Sequence, residues 1–217
     1  MRIGMLSSTQ KTKEEIEKRT RILSGMVASG IPLDIIPSGS PLKQLQTKED
    51  YRIAAPFLVQ AARREEGRYG AYIIACLGDA NFEEVKRATS TPVIPPSRST
   101  YLIAATMFNR IVVLANNEEG AATRKNTFRE LGILGSLSEI IVTQMAPLDY
   151  LRIPDAALKK IDTLLGKRKE PEPSAVIPTC GHLAALLEER GIESIAGLRV
   201  VNPLRISIRI AEAICSS

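Results

Sequence analysis

Cys76 and Cys180 are the residues of this chain best placed to do chemistry. Each closes a short apolar run, AYIIA before the first and AVIPT before the second, and each precedes a stretch that reads as a helix. A helix N-terminus offers free N–H groups and partial positive charge, which stabilise a thiolate and lower its pKa from about 8.5. If two such sites approach one ligand from opposite sides, a thiolate can remove a proton from a carbon while a thiol returns one to the other face. That is general acid–base catalysis with exchangeable roles. It needs neither a metal nor a pyridoxal group, and no cofactor is expected. A single cysteine at a strand end is more often an inert buried residue. The case for these two rests on their equivalent places in a repeated pattern. Cys215 has no counterpart in the first half and reads as structural.

The elements that must position them alternate between short apolar runs and longer amphipathic stretches. Runs at 3–6, 33–36, 71–77, 92–94, 111–115, 139–144, 175–177 and 198–201 read as strands. The run 71–77 is continuously apolar, as a buried parallel strand would be. Thr12 and Glu15 form a capping-box signature for a helix ending near Gly30. A second helix is expected from Thr47 to Glu66, kinked or broken at Pro56. Further helices follow Asp79 as a cap, Asn117, Pro154 and His182, with one more at the C-terminal end. The segment 166–174 reads as a charged loop containing proline. Strand–helix alternation of this kind predicts an α/β fold with mainly parallel sheet.

The second half echoes the first. Arg2–Leu6 matches Arg110–Leu114, Ile35 aligns with Ile140, Cys76 with Cys180 and Val93 with Val200, all displaced by 104 to 108 residues. Two pseudo-symmetric α/β halves are therefore expected: residues 1–97 with the C-terminal helix 203–217 packing back on them, and residues 98–202.

Composition narrows the class. The chain has 217 residues, 44% of them apolar and 24% charged, as in an ordinary soluble globular protein. The seven apolar residues 71–77 fall far short of the roughly 20 needed to span a bilayer. No signal peptide is read at the N-terminus. One His and three scattered Cys argue against a zinc site, and an odd number of Cys argues against a secreted disulfide framework. A cytoplasmic location is the expectation. The net charge of +5 is spread over solvated helix ends, without the interleaved aromatics of a nucleic-acid surface. The expected partner is a small-molecule substrate, not nucleic acid or membrane, with a homo-oligomer as a compatible assembly.

The motifs IACLGDANF (74–82), PVIP (92–95) and VIPTCGHL (176–183) resemble the aspartate/glutamate/hydantoin racemase superfamily. The resemblance extends over almost the whole chain. Cys76 followed three residues on by Asp79 is more like the hydantoin racemase branch, since aspartate and glutamate racemases more often read Cys-Asn-Thr there. It implies two flavodoxin-like domains, an active site between them, and cofactor-independent racemisation by Cys76 and Cys180. Three places depart from the family pattern. Thr179-Cys180-Gly181-His182 stands where Gly-Cys-Thr or Gly-Cys-Ala is common, Leu6-Ser7-Ser8-Thr9 where an Asn-Pro-Asn-Thr-like loop is usual, and Pro95-Pro96-Ser97-Arg98 where Gly tends to follow.

The remaining candidates for binding substrate are Ser7, Ser8, Gly78, Asp79, Ser97, Asn116, Gly181 and His182. The hydroxyls and amides of Ser7, Ser8 and Asn116 can serve substrate oxygens or cap helices. Gly78 and Gly181 can bring backbone N–H groups to an enolate oxygen. Asp79 either caps a helix or orients a substrate N–H, and its charge disfavours a dianionic substrate. His182 either pairs with a Cys180 thiolate or faces solvent. Ser97 can line a cleft, and Arg98 beside it can bind a carboxylate or stand as an exposed loop residue. These readings point to a racemase acting beside a carbonyl on a hydantoin-like or allantoin-like ring. The alternatives are an aspartate/glutamate-type amino-acid racemase, a maleate isomerase-like cis–trans isomerase, or a non-catalytic small-molecule-binding protein.

Overall fold

The structure, a computed structural model, describes residues 1–168 and 175–216. The chain divides into two compact units, Met1–Pro96 with Leu204–Ser217, and Ser97–Pro203.

In the first unit, β1 (Ile3–Ser7), β2 (Leu33–Pro37), β3 (Ala71–Ile74) and β4 (Val93–Ile94) form one parallel sheet in the order β2-β1-β3-β4. Ile3 pairs with both Leu33 and Ala71, and Ile3 to Leu6 each lie between two neighbours; all five residues of β1 are buried. Gly4 is required in that strand, because a Cβ there would meet Ile36 and Tyr72 side chains at 2.7 and 2.9 Å. The connecting helices are α1 (Lys13–Ser24), α2 (Lys48–Arg64) and α3 (Phe82–Ala88). The expected capping box of α1 is formed by Thr12 and Glu15 in both directions, although the helix ends at Ser24 and not near Gly30. Thr47 and Asp50 make the same reciprocal pair at α2. Pro56 does not end α2, whose 17 residues run through it. Pro56 and Arg52, whose carbonyl loses its intrahelical donor, are both exposed.

The second unit repeats this plan. It contains α4 (Pro96–Met107), β5 (Ile111–Ala115), α5 (Glu118–Glu130), β6 (Leu137–Val142), α6 (Asp149–Arg152), α7 (Pro154–Gly166), β7 (Ala175–Pro178), α8 (Gly181–Glu189), β8 (Ser194–Ile195) and β9 (Leu198–Val200). Its sheet order is β6-β5-β7-β9-β8, parallel except for the antiparallel β8–β9 pair. Ile111 occupies the place of Ile3, pairing with Leu137 and Ala175. The first four strands of each sheet thus share the 2-1-3-4 order of flavodoxin-like folds. Two helices escape the sequence pattern, α4 and the single turn α6. The segment Ser97–Arg98, read as a loop, is the first turn of α4, which packs Tyr101 on Phe128 of α5 with ring centroids 4.4 Å apart. The expected loop 166–174 falls mostly on residues 169–174, outside the described residues; Gly166 closes α7. Among the described residues no helix is long and apolar enough to cross a membrane.

The last helix, α9 (Pro203–Ser216), returns to the first unit and buries Leu204, Ile208 and Ala211. Glu212 accepts hydrogen bonds from the backbone N–H groups of Ala28 and Ser29 and from Ser29 Oγ, each at 2.7 Å, and from Arg209 at 2.8 Å. Burial alone would raise the pKa of this carboxylate. The donors outweigh it and hold the group down at about 2, against an ordinary 4.5. Because the folded value is depressed, the stabilisation is complete above the ordinary value and is lost as pH falls toward 2. Glu212→Ala should lower unfolding stability by about 1–3 kcal/mol at neutral pH. The deficit relative to wild type should shrink as pH falls below about 4.5 in urea titrations, and a pH-independent deficit would contradict it.

Candidate functional site

Parallel strands place their carboxyl ends along one edge of the sheet, and most of the sequence candidates lie there. In the first unit Ser7 ends β1 and Ser8 follows it, both buried. Ser7 Oγ donates to the Thr9 carbonyl, while Ser8 Oγ is buried with no hydrogen-bond partner among the described residues. Cys76, Gly78 and Asp79 lie beyond β3 on the neighbouring strand.

The surroundings of Cys76 differ from the expected ones. No helix starts directly after it, since residues 77–81 intervene before α3, and the residue at the helix cap is Asn81, not Asp79. The sulfur receives the backbone N–H of Gly78 at 3.4 Å. A tight turn makes this contact possible: Asp79 N–H donates to the Cys76 carbonyl at 3.0 Å, and both Asp79 and Asn81 adopt positive φ, 51° and 62°. Non-glycine residues seldom hold this conformation, and where they do the surroundings must over-determine it. Asn81 escaped the sequence reading. Its Nδ2 is buried with no hydrogen-bond partner among the described residues. The available signal was its type, because Asn tolerates left-handed backbone better than most residues.

In the second unit Cys180 does occupy the cap position of a helix, α8, in extended conformation and 5% exposed. Gly181 and His182 are the first two residues of that helix, both half-buried. Thr179 fixes the approach, its Oγ1 donating to the Leu114 carbonyl of β5 at 2.7 Å. Asn116, just past β5, joins a buried polar group not foreseen from the sequence. Tyr150 OH donates to Asn116 Oδ1 at 3.4 Å and lies 3.1 Å from Thr143 Oγ1. Burial, then the negative charge Cys180 carries as a thiolate, push the Tyr150 hydroxyl well above its ordinary value. Tyr150 therefore stays protonated beside the cysteine. No periodicity marks it, because it sits on the one-turn helix α6. Asn117 is a structural cap, accepting from Gly120 N–H at 2.7 Å.

Ser97 is buried in the first turn of α4. Arg98 is not a loop cation, since it pairs with Glu130 at 2.6 Å. Cys215 is buried in the first unit with its Sγ 3.7 Å from the Arg2 carbonyl, and burial raises its pKa. No group of three or more metal-ligating side chains occurs among the described residues.

Sheet order and paired strand-end cysteines define a two-unit α/β protein with flavodoxin-like sheets. A sequence profile of the Asp/Glu/hydantoin racemase family matches residues 3–211, and the chain belongs to that family. Racemases are isomerases, and the protein is an enzyme of that class. A hydantoin racemase from Pseudomonas sp. (strain NS671) is 22% identical over 173 residues, covering 78% of this chain and 68% of the relative. Among solved structures, the allantoin racemase from Klebsiella pneumoniae has a TM-score of 0.85 at 15% identity, covering all of this chain and 88% of that one. The allantoin racemase from Pseudomonas fluorescens has the same TM-score at 17% identity, covering 100% of this chain and 91% of that one. A glutamate racemase from Francisella tularensis gives 0.68 at 13% identity, covering 99% and 81%.

Iodoacetamide at neutral pH should modify Cys76 before Cys180 or Cys215. Cys76 is the most exposed of the three, and its sulfur already receives an N–H. Peptide mapping after limiting reaction reads the order, and equal labelling would contradict it.

Proposed function

We propose that this enzyme is a cofactor-independent racemase acting at a carbon next to a carbonyl, with a hydantoin-like or allantoin-like ring as substrate and Cys76 and Cys180 as the paired acid and base. The observation that carries the reading is the equivalence of the two cysteines. Each follows the third strand of a sheet built to the same order and register, one past β3 and one past β7. In one direction the Cys76 thiolate takes the proton, leaving the C–H electron pair on the enolate. The Cys180 thiol then supplies a proton to the opposite face and becomes the thiolate. The other enantiomer uses the same groups in exchanged roles.

The backbone N–H of Gly78 favours charge on the Cys76 sulfur. Tyr150, protonated and tied to Thr143 and Asn116, holds a polar environment beside Cys180 without competing as an acid. Asp79 stands in the Cys76 turn, where a carboxylate can accept a ring N–H. The ring substrate is preferred over aspartate or glutamate because that charge opposes a dianion. The hydantoin racemase relative and the two allantoin racemase structures support the same choice.

Cys76→Ser and Cys180→Ser should each reduce racemisation of a 5-substituted hydantoin by at least about 10²-fold. Each variant should still exchange the ring C–H of one enantiomer with deuterated solvent, and the two variants should prefer opposite enantiomers. Polarimetry and proton NMR read the two effects. Full racemisation by either variant would rule out the two-thiol mechanism. Removing the tyrosine hydroxyl in Tyr150→Phe should cost about 0.5–1.5 kcal/mol of stability, read by urea unfolding.

A further inference from the structure

A cavity of about 350 Å³ opens at the carboxyl ends of β1 and β2, wholly within the first unit. Its walls include Thr9 and Lys11 from the loop after β1 and Ser40 from the loop after β2. The Gln10 N–H donates to the Leu42 carbonyl at 2.7 Å and ties the two loops together. Ile16, Pro37 and Pro41 supply the apolar remainder.

The polar groups here lack an acidic partner. Lys11 is partly buried, and among the described residues its ammonium makes one hydrogen bond, to Thr9 Oγ1 at 3.2 Å, and no ion pair. Burial, and then the like charge of Arg19, lower its pKa to about 8 from 10.5; Glu15 opposes the effect only in part. The Glu15 carboxylate is already committed to the Thr12 N–H in the α1 capping box. The neighbouring hydroxyls are donors in waiting. Thr9 Oγ1 accepts from Lys11 and Ser40 Oγ accepts from Leu42 N–H, and neither donates a hydrogen bond among the described residues. One cation and two hydroxyl protons thus converge on a space that holds no carboxylate of the chain.

We propose that Lys11, Thr9 and Ser40 form a carboxylate subsite, and that the substrate is a hydantoin-type ring bearing a carboxylate on the substituent at its racemised carbon. The proposal rests on the racemase reading above and narrows its substrate class. A monocarboxylate fits better than a phosphate, because Lys11 brings one positive charge while Asp79 sets a negative one at the same sheet edge. The span is also suitable. Strand β1 lies between β2 and β3, past whose end Cys76 stands, and neighbouring strands are about 4.8 Å apart. A short side chain on a five-membered ring bridges one or two such spacings.

The test compares hydantoin-5-acetate with 5-methylhydantoin by isothermal titration calorimetry and by racemisation kinetics. Wild type should bind the acid at least about tenfold more tightly, as a charge-assisted contact in a partly dry site warrants. Lys11→Gln should abolish that preference with no change for 5-methylhydantoin, Lys11→Arg should retain part of it, and Ser40→Ala should weaken only the acid. Equal binding of the two ligands by wild type, or an unchanged preference in Lys11→Gln, would overturn the subsite. The two readings fail separately. Racemisation of both rings without preference leaves the racemase and removes the subsite; Lys11-dependent binding without exchange of the ring C–H does the reverse.

Discussion

Parallel pairing is the constraint on which the rest of this protein depends. Antiparallel strands would scatter their ends over two edges of a sheet, but parallel ones deliver every carboxyl end to the same edge. In the first unit this brings Ser7, Lys11, Ser40 and Cys76 to one edge from three different strands. In the second it assembles Asn116, Thr143, Tyr150 and Cys180 from three more. The residues are up to 69 positions apart in the first group and 64 in the second, so sheet direction, not sequence proximity, makes them neighbours.

The repeated plan gives the two cysteines equivalent strands but unlike environments. Cys180 stands at the start of α8 and shares its surroundings with a tyrosine that keeps its proton. Cys76 sits in a turn whose positive-φ residues aim one N–H at its sulfur. One thiol is therefore set by a helix and a buried hydroxyl group, the other by strained backbone. The exchange of roles proposed above does not require identical thiols, only that each can hold and release a proton in turn.

Much of this was legible in the residues. Continuous apolar runs marked most strands because parallel strands are covered on both faces, and the 104–108 offset anticipated two sheets of one order. The helix α4 was missed because Pro95 precedes it, Pro96 opens it and its face is only weakly patterned. The turn after Cys76 was misread because Asp79 is a good helix cap by type, whereas the backbone there is left-handed and the helix begins later. Tyr150 and Lys11 were silent for a different reason. Their significance lies in what surrounds them in space, and neither periodicity nor motif carries that information.

The path of the chain has a consequence for how it is made. The second unit is one continuous stretch, Ser97–Pro203, inserted into a first unit whose strands are synthesised early and whose helix α9 comes late. On a ribosome adding about 5–20 residues per second, the inserted unit can complete its core while the first still lacks the cover of Leu204, Ile208 and Ala211 and the carboxylate of Glu212. Residues 204–216 are thus a structural keystone and not a tail. Clipping them would remove three buried apolar side chains from the first unit and leave the N–H groups of Ala28 and Ser29 without the carboxylate they donate to.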